Sequence, residues 1–336
     1  MKSIMYISPM LCHDVEVDGT ILKECGMDGQ AATKAYRKAI LEALKKLTIR
    51  GYVGERKFDG TRVLATSEED ITLQNRNGIS YSIRLPEVIN ALQAFHGHWV
   101  LDGEVVYINS DGEEEFSPCQ RRCSTHYPDP LLRQQFPVKM EVFDILQADG
   151  KSMEKEPYLN RKECLLEDFF ADEDGCLQAC PEETIQYVQF ETDLQLAWKE
   201  AIRKNREGLI VKQKDSPYEH DRSYSWLKCK NWRFEVCNVV GYTVGENARS
   251  SFFGSLVLAD ENGRYRGCVG SGFNEWELRK TKDQLSDSPK PLKASFSYEQ
   301  VGEPYKAVST NLQVLVKYYQ TTAKNVMRMP IFITSL

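Results

Sequence analysis

The sequence predicts an α+β chain of two domains, residues 1–233 and 234–336, with mixed helices and strands in the first and a small β-barrel in the second. Two observations carry this reading. Amphipathic helical stretches alternate with short β-branched runs up to Trp232, and beyond it the chain turns to short strands broken by Gly and Asp-Asn turns. The 336 residues are also long enough for each half to close its own core.

The elements follow in order. Residues 28–50 place Ala32, Tyr36, Ala39, Ile40, Ala43, Leu44 and Leu47 on one helical face, with Asp28 as the cap. Gly51–Thr66 and Ile71–Arg76 are short and β-branched, split by the polar turn SEED, and read as antiparallel strands. Pro86 opens a second amphipathic helix, PEVINALQAF. Strands are expected at VLDGEVVYI and VKMEVFDIL, the latter closed by the turn ADG. Past Trp232, the runs FEVCNVVGYTVG, GSLVLADENGRYRGCVGSGF and LQVLVKYYQTT read as the strands of the barrel.

Composition excludes several classes. Apolar residues make up 41% and charged residues 27%, which is globular rather than disordered. No apolar run reaches the roughly 18 residues of a membrane span, so no membrane partner is expected. Met1–Cys12 carries Pro9 and no small-residue cleavage site, so it reads as mature chain and not as a signal peptide. The net charge of −6 excludes a uniformly basic nucleic-acid binder but not a local basic patch. Such a patch exists: residues 199–233 hold ten Lys+Arg against five Asp+Glu, whereas residues 154–183 hold ten Asp+Glu against three Lys+Arg. The acidic segment reads as a solvated helix and loop away from any phosphate. Ten cysteines without a signal segment point to reduced thiols in a cytosol. Cys119/Cys123 with His126, and Cys176/Cys180, are spaced as helical neighbours rather than as a zinc pair-of-pairs.

Several clusters carry chemistry. Glu55-Arg56-Lys57-Phe58-Asp59-Gly60-Thr61-Arg62 lies at a strand-to-turn transition, where Gly60 permits a tight turn. A lysine there can act as a nucleophile if nearby cations or burial lower its pKa; the plain alternative is a charged hairpin. Leu101-Asp102-Gly103-Glu104 and Glu207-Gly208-Leu209-Ile210-Val211-Lys212 embed carboxylates among apolar residues, which suits a divalent metal that also touches phosphate oxygens, or else an outward strand face. In Trp226-Leu227-Lys228-Cys229-Lys230 the two lysines share a strand face, where they would repel unless an anion lies between them. Phe143-Asp144 ends a strand with a ring that is either core or a stacking platform.

In this order and spacing the clusters resemble the covalent nucleotidyltransferases, most closely the ATP-dependent DNA ligases in their minimal two-domain form. The resemblance runs from about Ser8 to Pro330 and rests on ERKFDGTR, LQNRNG, LDGEVV, VFDIL, EGLIVK and WLKCK, then on GCVGSGF and MRMPIF. It implies a nucleotidyltransferase (adenylation) domain of antiparallel sheets flanked by helices, followed by an OB-fold barrel. It implies a monomeric intracellular enzyme, cytoplasmic or associated with a nucleoid or virus, that seals nicked duplex DNA with ATP and Mg2+, or Mn2+ in its place. Lys57 would take AMP from the α-phosphorus of ATP and pass it to the 5′-phosphate of a nick, and the 3′-hydroxyl would then close the strand. The resemblance implies Glu55 at the adenine edge, Asp59 orienting the lysine, and Arg62 at the ribose and the nick phosphate. Arg76 would meet the 5′-phosphate or AMP, Glu104 the ribose or a metal, and Glu207 the metal. Phe143 would stack on adenine, Lys212, Lys228 and Lys230 would surround the α-phosphate, and Arg121 would touch the duplex. An RNA ligase, an mRNA guanylyltransferase, or a nick-binding protein without self-adenylation are the alternatives. The chain ends at Leu336 without the Arg-x-Asp-Lys tetrad that the family carries just beyond the position of Phe332, so pyrophosphate orientation would pass to another cation such as Lys324 or Arg328.

Overall fold

The computed structural model describes residues 6–18, 20–25, 28–171, 183–286, 296–322 and 324–336. Cys176 and Cys180 lie outside them. The chain divides into two units, one of Met1–Val15 with Ala43–Lys230 and one of Glu16–Glu42 with Asn231–Leu336. This differs from the division expected at residue 233, because residues 16–42 group with the later segment. The reason is local packing. Thr33 Oγ1 accepts the Phe234 N–H (3.0 Å), the Tyr36 ring lies 5.5 Å from that of Phe234, and Arg37 Nε donates to Asn231 Oδ1 (3.1 Å). Gly29 approaches so closely that a Cβ there would stand 2.6 Å from the Phe234 carbonyl oxygen.

The first unit holds two sheets. Its strands are β1 (Leu11–Asp14), β2 (Tyr52–Lys57), β3 (Thr61–Ser67), β4 (Ile71–Asn75), β5 (Trp99–Tyr107), β6 (Val138–Ala148), β7 (Lys151–Ser152), β8 (Ile185–Tyr187), β9 (Phe190–Glu191), β10 (Gly208–Gln213) and β11 (Arg222–Lys230). One sheet runs β1-β11-β10-β2-β9; the other runs β4-β3-β5-β6-β7, with β8 beside β6. The stretch expected as one strand from Gly51 to Thr66 is therefore two, in different sheets. The break falls at Phe58-Asp59-Gly60, where a Cβ on residue 60 would lie 2.1 Å from the Val105 carbonyl oxygen, so only glycine lets the turn pass.

Alternation along the second sheet separates two packed faces. Val63, Ala65, Leu101, Val105, Met140, Val142 and Ile145 join a core with Leu85, Val88 and Leu165 from the helices Pro86–Leu92 and Tyr158–Phe169. Leu64, Val100 and Leu146 face the other way and pack with Met10, Tyr218 and Trp226. On β6 the register slips: Gly103 opposes Val142 while Asp102 opposes Asp144, so Phe143 is the extra residue of a bulge. Such a bulge re-aims side chains, and here it sends Phe143 towards the Met10–Trp226 cluster.

The helix Tyr158–Phe169 corrects the reading of residues 154–183 as solvated. It buries Arg161 and Lys162, which are 0% and 1% exposed. Arg161 grips Asp144 with two parallel hydrogen bonds (2.8 and 2.9 Å) and donates to the carbonyls of Glu156 and Ser216.

The second unit carries one six-stranded sheet. Its strands are β12 (Arg233–Val244), β13 (Phe253–Ala259), β14 (Tyr265–Val269), β15 (Tyr305–Ala307), β16 (Gln313–Tyr318) and β17 (Ile331–Ser335), ordered β14-β13-β12-β16-β17 with β15 beside β12. The two ends of that order meet: Ser271, just past β14, bridges Ile331, and the Phe332 N–H donates to the Ser271 carbonyl (2.9 Å). Cys237, Val239, Phe253, Leu256, Val314, Val316 and Phe332 fill the interior. Among the described residues no helix is long and apolar enough to cross a membrane.

Breaking the buried Arg161–Asp144 pair tests this architecture. Arg161→Ala strands a carboxylate that the guanidinium holds below its usual range despite complete burial. Urea unfolding at neutral pH is expected to show a loss of about 3–5 kcal/mol. The Asp144 contribution exists above the unfolded carboxylate pKa and fades as pH falls through the lower folded value, so the variant and the native chain converge in acid.

Candidate active site

Three antiparallel strands of the first sheet, β2, β10 and β11, set the chemistry-bearing residues in rows. Lys57, Gly208 and Lys230 are abreast; so are Glu55, Ile210 and Lys228; so are Val53, Lys212 and Trp226. Directly opposed residues on antiparallel strands share a face, so all these side chains emerge on one side. Gly208, between the two lysines, has φ +145°, and a Cβ there would stand 1.8 Å from the Cys229 carbonyl oxygen. The neighbouring backbone fills the place of a side chain between the two lysines, and Glu207, one residue before it, serves both. Glu207 Oε2 accepts from Lys57 Nζ (2.7 Å) and Oε1 pairs with Lys230 Nζ (3.1 Å).

The charge state of Lys57 follows from this. Burial pushes its pKa down, but the carboxylates of Glu207 and Glu104 and the hydrogen bond to Glu207 outweigh burial, so the amine stays above its ordinary value. Carboxylates, and not the cations expected from the motif, set the direction of the shift. Glu104, on β5 opposite Arg62, is also raised, but with burial as the cause and not the obstacle. Burial pushes its carboxyl up to about 8, the charges of Glu207 and Asp102 add to this, and Lys57 and Arg62 oppose it.

A second cluster surrounds Glu55, which is 2% exposed. Its carboxylate accepts from the Tyr158 hydroxyl (2.5 Å) and pairs with Lys212 (2.6 Å) and Lys162 (3.3 Å). The Lys212 ammonium also lies 4.1, 4.6 and 4.9 Å from the ring centroids of Trp226, Phe143 and Tyr158, a cation–π enclosure. Lys162 donates to the Val188 carbonyl (2.5 Å), and burial brings its pKa down to about 8, with Lys212 adding and Glu55 opposing.

Arg62 begins β3 and is already engaged. Its Nε and Nη2 donate to the two oxygens of Asp102 (2.9 and 2.5 Å), Nη1 to the Met10 carbonyl (2.5 Å), and Nη2 also to the Tyr218 hydroxyl (3.2 Å).

The structure thus gathers Lys57, Glu104, Glu207 and Lys230 around one point, and Glu55, Phe143 and Lys212 around another. Lys228 pairs with Asp14 at 3.4 Å. The Asp59 backbone N–H donates to Glu114 Oε2 (3.0 Å), which anchors the turn after Lys57. Arg76 lies exposed in the turn after β4, and Arg121 is exposed on the helix Phe116–Ser124 with its guanidinium 5.5 Å from the Phe136 ring centroid; neither is tied to the two clusters by a contact described above. Tyr158, Lys162 and Tyr218 were missed by sequence reasoning. All three sit in segments without strand alternation around a catalytic-type motif, and Lys162 lies in a run whose net charge hid it.

A family model described as the ATP dependent DNA ligase domain matches residues 32–230, more than half of the chain. The chain belongs to the ATP-dependent DNA ligase family. It is 32% identical over 257 residues to the multifunctional non-homologous end joining protein LigD of Mycolicibacterium smegmatis, covering 74% of this chain and 30% of that protein. To the DNA ligase of Thermococcus onnurineus it is 27% identical over 235 residues, 67% of this chain and 41% of that one. The chain therefore spans less than half the length of these relatives. In fold it is similar to a mycobacterial DNA ligase D complexed with ATP and MES (22% identity, TM-score 0.51, 98% and 95% of the two chains covered). It is also similar to a Lig E DNA ligase (18% identity, TM-score 0.58, 86% and 93% covered).

Two outcomes test the electrostatics. Glu207→Gln removes the main partner of Lys57, so a pH titration of lysine reactivity, read by mass spectrometry of the Lys57 peptide, should move to lower pH. An unmoved titration would mean that Glu207 does not hold the proton. Glu104 has a folded pKa above its unfolded one, so its stabilisation is full below the unfolded value and is lost as pH rises through about 8. Glu104→Gln should therefore gain stability relative to the native chain between pH of about 5 and about 8, read as the difference in urea midpoint across that window.

Proposed function

We propose that this chain, acting as a monomer, seals nicks in duplex DNA through a covalent lysyl-AMP on Lys57. Residues 1–233 would be the nucleotidyltransferase domain and residues 234–336 an OB-fold barrel, a reading supported by the bridge between the two ends of the sheet in the second unit. The observation that carries the proposal is the row Lys57–Gly208–Lys230 with Glu207 across both lysines. It supports a nucleophilic amine beside a second cation, with one carboxylate shared between them.

The chemistry divides among these residues. Lys57 Nζ, once its proton is shed to water, attacks the α-phosphorus of ATP; the N–P bond forms as the bond to pyrophosphate breaks. Lys230, Lys228 and Lys212 offset the negative charge that grows on the phosphoryl oxygens. A 5′-phosphate oxygen of the nick then displaces Lys57 from the AMP, and the 3′-hydroxyl displaces AMP in turn. Phe143, on the bulge, offers a ring face to adenine, and Glu55 holds Lys212 for it. Arg76 and Arg121, both exposed, are proposed contacts to nucleic-acid phosphates.

Magnesium fits the donor set. Glu104 and Glu207 supply hard carboxylate oxygens near enough to raise the Glu104 pKa. Among the described residues no group of three or more His, Cys, Asp or Glu would hold an ion alone, so phosphate oxygens and water would complete the shell, as magnesium prefers. Bound there, magnesium or manganese would neutralise phosphate charge.

Incubation with α-labelled ATP and magnesium, then denaturing electrophoresis, tests the proposal. The native chain should carry label, Lys57→Ala should carry none, and labelled GTP should not substitute. A native chain that neither takes label nor seals a pre-adenylated nick would overturn the reading. One that seals the pre-adenylated nick without taking label would restrict it to the later steps. Phosphate tracking gives a second outcome: affinity for nicked duplex should fall at least about tenfold between about 50 and about 200 mM salt, and a flat response in a filter-binding titration would refute backbone contact.

A further inference from the structure

Cys119 and Cys123 stand one turn apart on the helix Phe116–Ser124 and take no part in the site above. Both thiols are free and buried, at 0% and 2% exposure, in the core that Val63, Leu101 and Val105 build. Each is the strongest influence on the other. The hydrogen bond between them raises the Cys119 pKa and lowers that of Cys123, so Cys119 is the donor and Cys123 has the thiolate character. The Cys123 thiol also lies in the field of Arg122 and Arg84. Arg84 Nη1 donates to the Cys123 carbonyl (2.9 Å), and both arginines keep an Nε–H with no hydrogen-bond partner among the described residues. A thiolate-prone cysteine among cations, with a second thiol against it, is the arrangement of an attacking and a resolving cysteine.

The pair is tied to the turn after Lys57. The single S–H of Cys119 is shared between Cys123 and the Val105 carbonyl oxygen, 3.1 Å away. That same oxygen is the one over which residue 60 turns, where a Cβ would stand 2.1 Å from it. Val105 is directly opposite Thr61, whose side chain hydrogen-bonds both thiols. Helical neighbours of this spacing hold their Cβ atoms about 5–6 Å apart and a disulfide needs about 3.5–4.5 Å, so linking the thiols contracts the last turn of the helix. That turn has room to give, because the chain leaves the helix at once: Thr125 is extended, with φ −78° and ψ 118°. Helix ends open locally at low cost, which also admits a small oxidant to buried thiols.

We propose that Cys119 and Cys123 are a dithiol, oxidised to a disulfide by hydrogen peroxide, whose closure takes the S–H from the Val105 carbonyl, displaces the turn at Gly60 and switches off Lys57. The effect on Lys57 rests on the ligase reading above. The Cys123 thiolate attacks one peroxide oxygen and the O–O bond breaks, leaving a sulfenic acid and, with a proton, water. The Cys119 sulfur then attacks the sulfenic sulfur; the S–S bond forms and the hydroxyl leaves with the Cys119 proton as a second water. The two thiols lose two electrons and the peroxide gains them.

The test uses the full chain, treated with hydrogen peroxide, denatured in N-ethylmaleimide and digested without reductant for mass spectrometry, beside single-turnover labelling of Lys57 with ATP and magnesium. The peptide holding both cysteines should appear unalkylated and two hydrogens lighter. Labelling should fall at least about tenfold, as misplacement of a reacting group brings, and dithiothreitol should restore both. Cys123→Ala should label at the native rate and keep that rate after peroxide; Cys123→Ser serves if the first variant does not fold. Cys12, whose thiol lies in the field of Arg62, Lys212 and Lys57, is the rival target, so Cys12→Ala should stay peroxide-sensitive. The inference is overturned by a Cys119–Cys123 peptide that remains fully alkylated, by a disulfide that leaves labelling intact, or by a Cys12→Ala chain that resists peroxide; in each case the ligase reading stands. Absence of label before any peroxide would strike at that reading instead, while the peptide mass still reports on the dithiol.

Discussion

The Glu207 carboxylate, bridging Lys57 and Lys230 at 2.7 and 3.1 Å, is the contact on which the arrangement of the site depends. Two ammonium groups on strands that flank a bare glycine would repel if nothing lay between them. Glu207 is only 5% exposed, so its own burial would be costly without them. Each group is tolerable only because the others are present. The position at which they meet is fixed by backbone, not by side-chain choice: the register of β2, β10 and β11 places residues 57, 208 and 230 abreast, and the left-sided φ of Gly208 admits no other residue.

The same logic recurs around Glu55 and Asp102. Each is a buried carboxylate with more than one partner: Lys212, Lys162 and Tyr158 for the first, Arg62 and Tyr218 for the second. Buried charge survives when it is paired and hydrogen-bonded, and removing one member leaves the rest exposed to the full desolvation cost. The inter-sheet face is thus a set of interlocking ion pairs whose members hold one another in single rotamers. That is the rigidity that phosphoryl transfer asks for, since positioning and electrostatic stabilisation supply most of its rate.

How much of this was legible in the sequence depends on the range of the interaction. Lys57, Lys212, Lys228 and Lys230 stand in strands whose alternation reveals the shared face, and the ligase family was readable from the order of the clusters. The mixed sheets and helices were readable as well. The bulge at Phe143 was not, because it arises from the register between β5 and β6, which a single strand does not encode. Nor was the grouping of residues 16–42 with the later segment, which turns on the approach of Gly29 to Phe234. Lys162 and Tyr218 escaped for the same reason: their partners, Glu55 at 107 and Asp102 at 116 residues' separation in sequence for the one and the other, meet them only in three dimensions. The charge sign of Lys57's neighbours was misjudged because cations are conspicuous in a motif, whereas distance decides which charge prevails.

That last point sets stability against activity. The folded pKa values of both Lys57 and Glu104 lie above their ordinary values, so both groups stabilise the fold in their protonated forms, and both contributions fade as pH rises. A nucleophilic amine needs the opposite state. The carboxylate contact that orders the Lys57 side chain is therefore also the one that holds its proton.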